Sequence, residues 1–131
     1  MKLSLTPYQG ILLSVLRIIS GLLMMQHGGQ KVLGVPAASK APFELFSQMG
    51  LAGILELVGG FLLAIGLFTR PAAFVLSGVM AAAYFMVHAG KGFWPMLNGG
   101  ELAVLYCFVY LYLAAAGGGT FGVDAMRGKK A

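Results

Sequence analysis

The sequence predicts an all-α integral membrane protein, a four-helix bundle folded as one domain over residues 1–131. Three observations carry that reading. Apolar residues make up 59% of the chain and charged residues only 10%, whereas an ordinary soluble domain carries about 25% charged residues. The mean hydropathy of +0.86 agrees. Apolar runs near the ~20 residues needed to cross a ~30 Å hydrocarbon core recur along the chain, separated by stretches holding glycine, lysine and proline.

The first span is read over residues 8–26, from Tyr8 to Gln26. Lys2 precedes it as in a secretory signal, but Arg17 interrupts it and no small-x-small cleavage site follows, so the segment is read as retained. The second span covers residues 51–68 and the third 71–88. Thr69-Arg70-Pro71 between them predicts a tight turn, with Pro71 opening the next helix. The fourth covers residues 100–116, stopped by Gly117-Gly118-Gly119. The long connection from Gly28 to Met49 holds Ala41-Pro42-Phe43-Glu44-Leu45-Phe46, read as a short interfacial helix. Trp94 in the next loop is read as an interface anchor.

An even number of spans places both termini on one side. That side would hold Lys2, Arg70, Arg127, Lys129 and Lys130, against Lys31, Lys40 and Lys91 on the other. Basic residues favour the cytoplasmic side, so both termini are expected there. The net charge of +5 is accounted for by these loops and tails, and no nucleic-acid reader is present. The single Cys107 excludes an intrachain disulfide and a CxxC redox pair.

Polar residues inside the spans are the functional signal, because they are expensive in lipid and face protein. Arg17 shares a helix face with Gly10, Ser14, Gly21 and Met24. Glu56 shares one with Gly53 and Gly60. Small-residue stripes let helices approach closely, and the two charges fall at similar predicted depths. An Arg17–Glu56 ion pair is therefore expected. It would either fix the packing of two helices or leave Glu56 lining a pocket.

His27 and His88 fall at the outer ends of the first and third spans. Ser77, Ala81, Tyr84 and His88 share a face. Glu101 starts the fourth span, where a carboxylate also suits a helix N-terminus. The halves echo each other: His27-Gly28-Gly29-Gln30-Lys31 and a later Gly then Glu56-Leu57; His88-Ala89-Gly90-Lys91 and a later Gly then Glu101-Leu102. This suggests two pseudo-repeated helical hairpins, with both histidines and both glutamates near one side. No metal site is expected, since these residues lack diagnostic ligand spacing. No nucleophile–base pair, P-loop or dinucleotide fingerprint occurs, and whether the protein is an enzyme is left open.

Taken in order, several motifs resemble the DoxX family of small bacterial four-helix membrane proteins. They are an Arg17-containing first helix ending in His27-Gly28 and Lys31; Glu56-Leu57-Val58-Gly59-Gly60 followed by Gly66-Leu67-Phe68-Thr69-Arg70; Asn98-Gly99-Gly100-Glu101; and Gly117-Gly118-Gly119 with Asp124. The resemblance covers nearly the whole chain. It implies an inner-membrane protein that binds a quinone or similar hydrophobic molecule and serves a redox, oxidative-stress or sulfur-handling complex with a partner protein. The pocket would be formed by Glu56, His88, Glu101, Asn98, His27 and Tyr84. Glu56, held by Arg17, would be the fixed charge; His88 and Glu101 would carry protons. A small proton-coupled transporter and a non-catalytic membrane anchor for a partner are the alternatives, and glycine-lined faces also permit a homo-oligomer.

Overall fold

The computed structural model describes residues 3–128, and the regular elements among them are all helical, with no strand. A 3-10 turn at Thr6–Tyr8 leads into α1 (Gln9–Leu33), followed by α2 (Gln48–Ile65) and α3 (Thr69–Ala83). The third span then continues as a π-helical turn, Tyr84–His88, and a 3-10 turn, Ala89–Lys91. Short α4 (Pro95–Asn98) precedes α5 (Glu101–Ala116), and short α6 (Val123–Met126) follows. Lys2, Lys129 and Lys130, counted above for orientation, lie outside the described residues.

The helices are polar or small inside and apolar outside. On α1 the buried residues are Ser14, Arg17, Ser20, Gly21, Met24, Gly28 and Gly29. Leu12, Val15, Leu16, Ile19, Leu22 and Leu23 point outward. On α2, Gly53, Glu56, Gly60 and Leu63 are buried, while Leu51, Leu55, Val58 and Phe61 are exposed. Lipid solvates such an outer surface, and the inward polar groups must pair within the protein. Three segments, Thr6–Leu33, Gln48–Ile65 and Thr69–Lys91, are long and apolar enough to cross a membrane. The apolar α5 has 16 residues, about 24 Å at the helical rise.

Close packing pairs α1 with α2 and α3 with α5, and the two hairpins meet along α2 and α3. Glycine permits the first contact. A Cβ added at Gly21 would come within 2.7 Å of the Gly60 carbonyl oxygen, and one at Gly60 within 2.7 Å of the Gly21 oxygen. Met24, Leu63, Leu76, Tyr110 and Leu113 form the fully buried centre. Tyr106 stacks on Tyr110 with centroids 5.5 Å apart, and the Tyr110 hydroxyl donates to Ser20 O at 2.8 Å. Ser77 Oγ donates to Cys107 O at 2.8 Å, fastening α3 to α5.

The structure revises several predicted boundaries. Helix α1 runs seven residues past Gln26, to Leu33, because its polar stretch from His27 to Lys31 still has protein to pack on. The turn after α2 is Gly66-Leu67-Phe68, with Gly66 (φ +72°) and Phe68 (φ +49°) left-handed. Pro71 therefore lies within the first turn of α3. Residues 41–46 form no helix. Instead Ser47 caps α2, its hydroxyl accepting from Gly50 N at 3.0 Å.

One end of the bundle is closed by the segment after α5. Thr120 N donates to Gly10 O at 3.1 Å. Ser14 Oγ donates to Gly118 O at 2.9 Å and accepts from Phe121 N at 2.9 Å. Asp124 accepts from Phe68 N at 3.1 Å and Thr69 N at 3.0 Å, capping α3 from a distance in sequence. This end carries both described chain ends.

Candidate functional site

The opposite end, where α1 finishes and α2 begins, holds the ionisable cluster. Glu56 is 1% exposed. Both of its oxygens accept from Lys31 Nζ, Oε1 at 2.6 Å and Oε2 at 2.7 Å. Lys31 reaches it because Gly53, one turn before Glu56, leaves room for the lysine stem. A Cβ added at Gly53 would meet Lys31 Cβ at 2.8 Å.

The expected Arg17–Glu56 pair is therefore corrected. Glu56 binds Lys31, and Arg17 lies toward the other end of the bundle. Its guanidinium donates to Gly118 O at 2.7 Å and to Phe121 O. It packs beside Gly66, where an added Cβ would lie 2.6 Å from Arg17 Nη1. Asp124 is near enough to act on it electrostatically. The error follows from the helix length. Gly21 opposes Gly60, and Gly28 opposes Gly53 and Leu57, so Arg17 falls opposite the end of α2. Ten residues separate Gly66 from Glu56, about 15 Å at the helical rise. The expected pair counted depth from the terminal side with the two spans level there, whereas α1 extends past the end of α2 on that side.

A cavity of 250 Å³ opens beside the Lys31–Glu56 pair. It is lined by Met24, His27, Lys31, Glu56, Met80, Ala83, His88, Gly99, Leu102, Ala103 and Tyr106. Four ionisable side chains from three helical segments thus share one space with a tyrosine. His27 meets the Tyr106 ring edge-on, centroids 6.3 Å apart. His88 enters from the π-helical turn, and its Nδ1 lies 3.2 Å from Asn98 O. A second cavity of 360 Å³ lies between α2 and α3. Its wall includes Gln48, Met49, Leu55, Val79, Ala82 and Met86, and it shares Lys31, Glu56 and Ala83 with the first.

The remaining expected residues have other places. Asn98 is buried, and its side chain is spent on the local fold. Nδ2 donates to the Tyr84 hydroxyl at 3.1 Å and to Gly92 O at 3.0 Å, and Oδ1 accepts from Gly100 N at 2.8 Å. Tyr84 and Asn98 thus stand behind His88 rather than among the cavity-lining residues. Gly100 lets the π-turn approach α5, since an added Cβ would meet Tyr84 Cδ2 at 2.7 Å and His88 Cβ at 2.8 Å. Glu101 is the exposed first residue of α5 and does not line the cavity. Lys31 and Tyr106 line the cavity and were not predicted there. Lys31 was counted among the loop cations. No group of three or more His, Cys, Asp or Glu side chains among the described residues is arranged to hold a metal ion.

These features define a class: a small helical membrane protein with a charged, tyrosine-lined cavity inside one end of its bundle. The DoxX family model matches residues 12–89, and the chain belongs to the DoxX family. The match spans α1 to the π-turn and includes His27, Lys31, Glu56 and His88. The chain is 42% identical over 132 aligned positions to an uncharacterized protein of Haemophilus influenzae, covering 97% of this chain and 98% of that one. A second uncharacterized Haemophilus influenzae protein is 32% identical over 71 positions, covering 54% of this chain and 47% of that one. No solved structure matches the chain.

Proposed function

We propose that this DoxX-family membrane protein binds a quinone or similar ring-bearing hydrophobic molecule in the 250 Å³ cavity. The observation that carries the reading is the Lys31–Glu56 pair. It is a fixed dipole in the cavity wall, with the Glu56 side chain 2% exposed and that of Lys31 26% exposed, opposite an imidazole and a phenol ring. A pocket with mostly apolar lining and a few convergent polar groups is the usual form of a small-molecule site. Lys31 has an ammonium to donate to a quinone carbonyl. His88 lines the cavity while its Nδ1 lies against Asn98 O of the following loop, where an imidazole can pass a proton between the two.

Reduction of a quinone to a quinol takes two electrons and two protons. In this reading the electrons come from a redox or sulfur-handling partner protein, and the chain supplies the site and the proton path. The setting is the bacterial inner membrane with both termini cytoplasmic. That orientation rests on the sequence count of Lys2, Arg70, Arg127, Lys129 and Lys130 against Lys31, Lys40 and Lys91.

The test is equilibrium binding of a bare dimethoxy-methyl-benzoquinone ring to the protein in lipid nanodiscs. Wild-type protein should bind it saturably, and Glu56→Gln and His88→Ala should weaken it. Equal binding by wild type and Glu56→Gln would overturn the reading.

A further inference from the structure

The second cavity adds a feature that the ring site alone does not require. It lies between α2 and α3, which pack less extensively than the helices within either hairpin. Its walls are almost wholly apolar: Met49, Ala52, Leu55, Val79, Ala82, Met86 and Val87, with Gln48 at one edge. Met49, Leu55, Met86 and Val87 are each between 42% and 58% exposed. They lie on helices with apolar outer faces, so the cavity opens sideways toward lipid rather than toward water. Its inner limit is Lys31, Glu56 and Ala83, the three residues shared with the ring cavity. At 360 Å³ it is the larger of the two.

The sequence builds this opening from small side chains. Ala82 and Ala83 end the α-helical part of α3, and Ala52 faces them from α2. The backbone then changes from α to π at Tyr84. A π turn shifts the faces that follow it. It brings His88 to the ring cavity while Met86 and Val87 line the groove.

We infer that the groove holds the hydrocarbon chain of the same ligand, so that the protein selects an amphiphile with a compact polar ring and a single long apolar tail, admitted from the bilayer between α2 and α3. The Lys31–Glu56 pair stands at the junction of head and tail and is the one polar feature the chain must pass. The inference rests on the ring-site reading, because a tail groove needs a head site at its inner end. The two cavities share Lys31, Glu56 and Ala83 in their linings, and that shared wall is what ties them to one molecule.

The experiment compares two probes in nanodiscs: the bare dimethoxy-methyl-benzoquinone ring, and the same ring carrying a decyl chain. Each is titrated into wild type, Ala82→Phe and Glu56→Gln. Comparing variants with the same probe cancels that probe's partition into lipid. Ala82 lines the groove and not the ring cavity, and its exposed position lets phenylalanine fill the groove without entering the core. Ala82→Phe should weaken the decyl probe about tenfold or more, the equivalent of a few displaced methylenes, and leave the bare ring unchanged. Glu56→Gln should weaken both. Equal affinity of wild type and Ala82→Phe for the decyl probe would overturn the tail groove while leaving the ring site standing. Failure of wild type to bind either probe would overturn both. A fall in bare-ring affinity in Ala82→Phe equal to that of the decyl probe would also count against a separate tail groove.

Discussion

Lys31 on the last turns of α1 holds both carboxylate oxygens of Glu56 near the middle of α2, at 2.6 and 2.7 Å. The contact is lopsided. The Glu56 side chain is 2% exposed and that of Lys31 26%. A lysine has a long stem and can carry its charge to the interface when its partner is lost. A glutamate at this depth has no such route. Lys31→Met should therefore cost more stability than Glu56→Gln, on the order of 3 kcal/mol for a buried charge stripped of its partner. The double variant Lys31→Met, Glu56→Leu should recover most of that loss. Reversible unfolding in mixed micelles measures all three, and an equal loss in the two single variants would contradict the asymmetry.

The α1–α2 seam depends on absent side chains. Gly21→Val should push against the Gly60 carbonyl and the Ala64 backbone, with an overpacking cost of about 1–3 kcal/mol. Gly78 serves as the contrast, because nothing lies within 4 Å of a Cβ added there. Gly78→Ala should be neutral or stabilise by about 0.5–1 kcal/mol through helix propensity. Thermal unfolding of the two variants side by side checks this pair of outcomes.

At the other end, Arg17 and Asp124 hold the C-terminal segment on the bundle. Arg17→Lys should not substitute, since Arg17 meets both Gly118 O and Phe121 O with Nη1 at the far end of its side chain, and the shorter lysine carries its ammonium short of them. Asp124→Ala should lose the cap on Phe68 N and Thr69 N, worth about 1 kcal/mol for a helix cap. Both variants should expose residues 118–127 to protease while the spans stay protected. A digestion pattern identical to wild type would contradict this assignment.

Asn98 should act on the ligand only through His88 and its loop. Asn98→Ala leaves Gly100 N and the Tyr84 hydroxyl without a buried partner, at about 1–3 kcal/mol for the unmet groups. Asn98→Asp keeps the acceptor for Gly100 N and should recover part of the loss. If Asn98→Asp and Asn98→Ala unfold alike, the Gly100 contact is not what the residue contributes.

The all-helical membrane fold was legible because lipid imposes a coarse rule: long apolar runs with polar groups turned inward. The glycine stripes of Gly21 and Gly60 were legible for the same reason. What failed was register. His27 to Lys31 looks polar enough to end a span, yet α1 continues through it because Gly28 and Gly29 pack against α2 and the loop after α1. That early end hid Lys31 as the partner of Glu56, and taking the terminal ends of the first two spans as level moved Arg17 beside it. The π-helical turn at Tyr84–His88 left no mark in hydrophobic periodicity. The acceptors of Arg17 were invisible because they are backbone carbonyls at Gly118 and Phe121, which any sequence could supply. Asp124 and the Gly117-Gly118-Gly119 run were the only visible hint of them.

The most direct test of the binding claim is gentle purification followed by organic extraction and mass spectrometry of wild type, Glu56→Gln and Glu101→Gln. Glu101 is exposed and outside the cavity, so its variant controls for loss of a nearby charge. The account predicts a quinone with wild type and Glu101→Gln and its loss from Glu56→Gln. Bulk phospholipid alone in the wild type, or a quinone retained equally by Glu56→Gln, would contradict it.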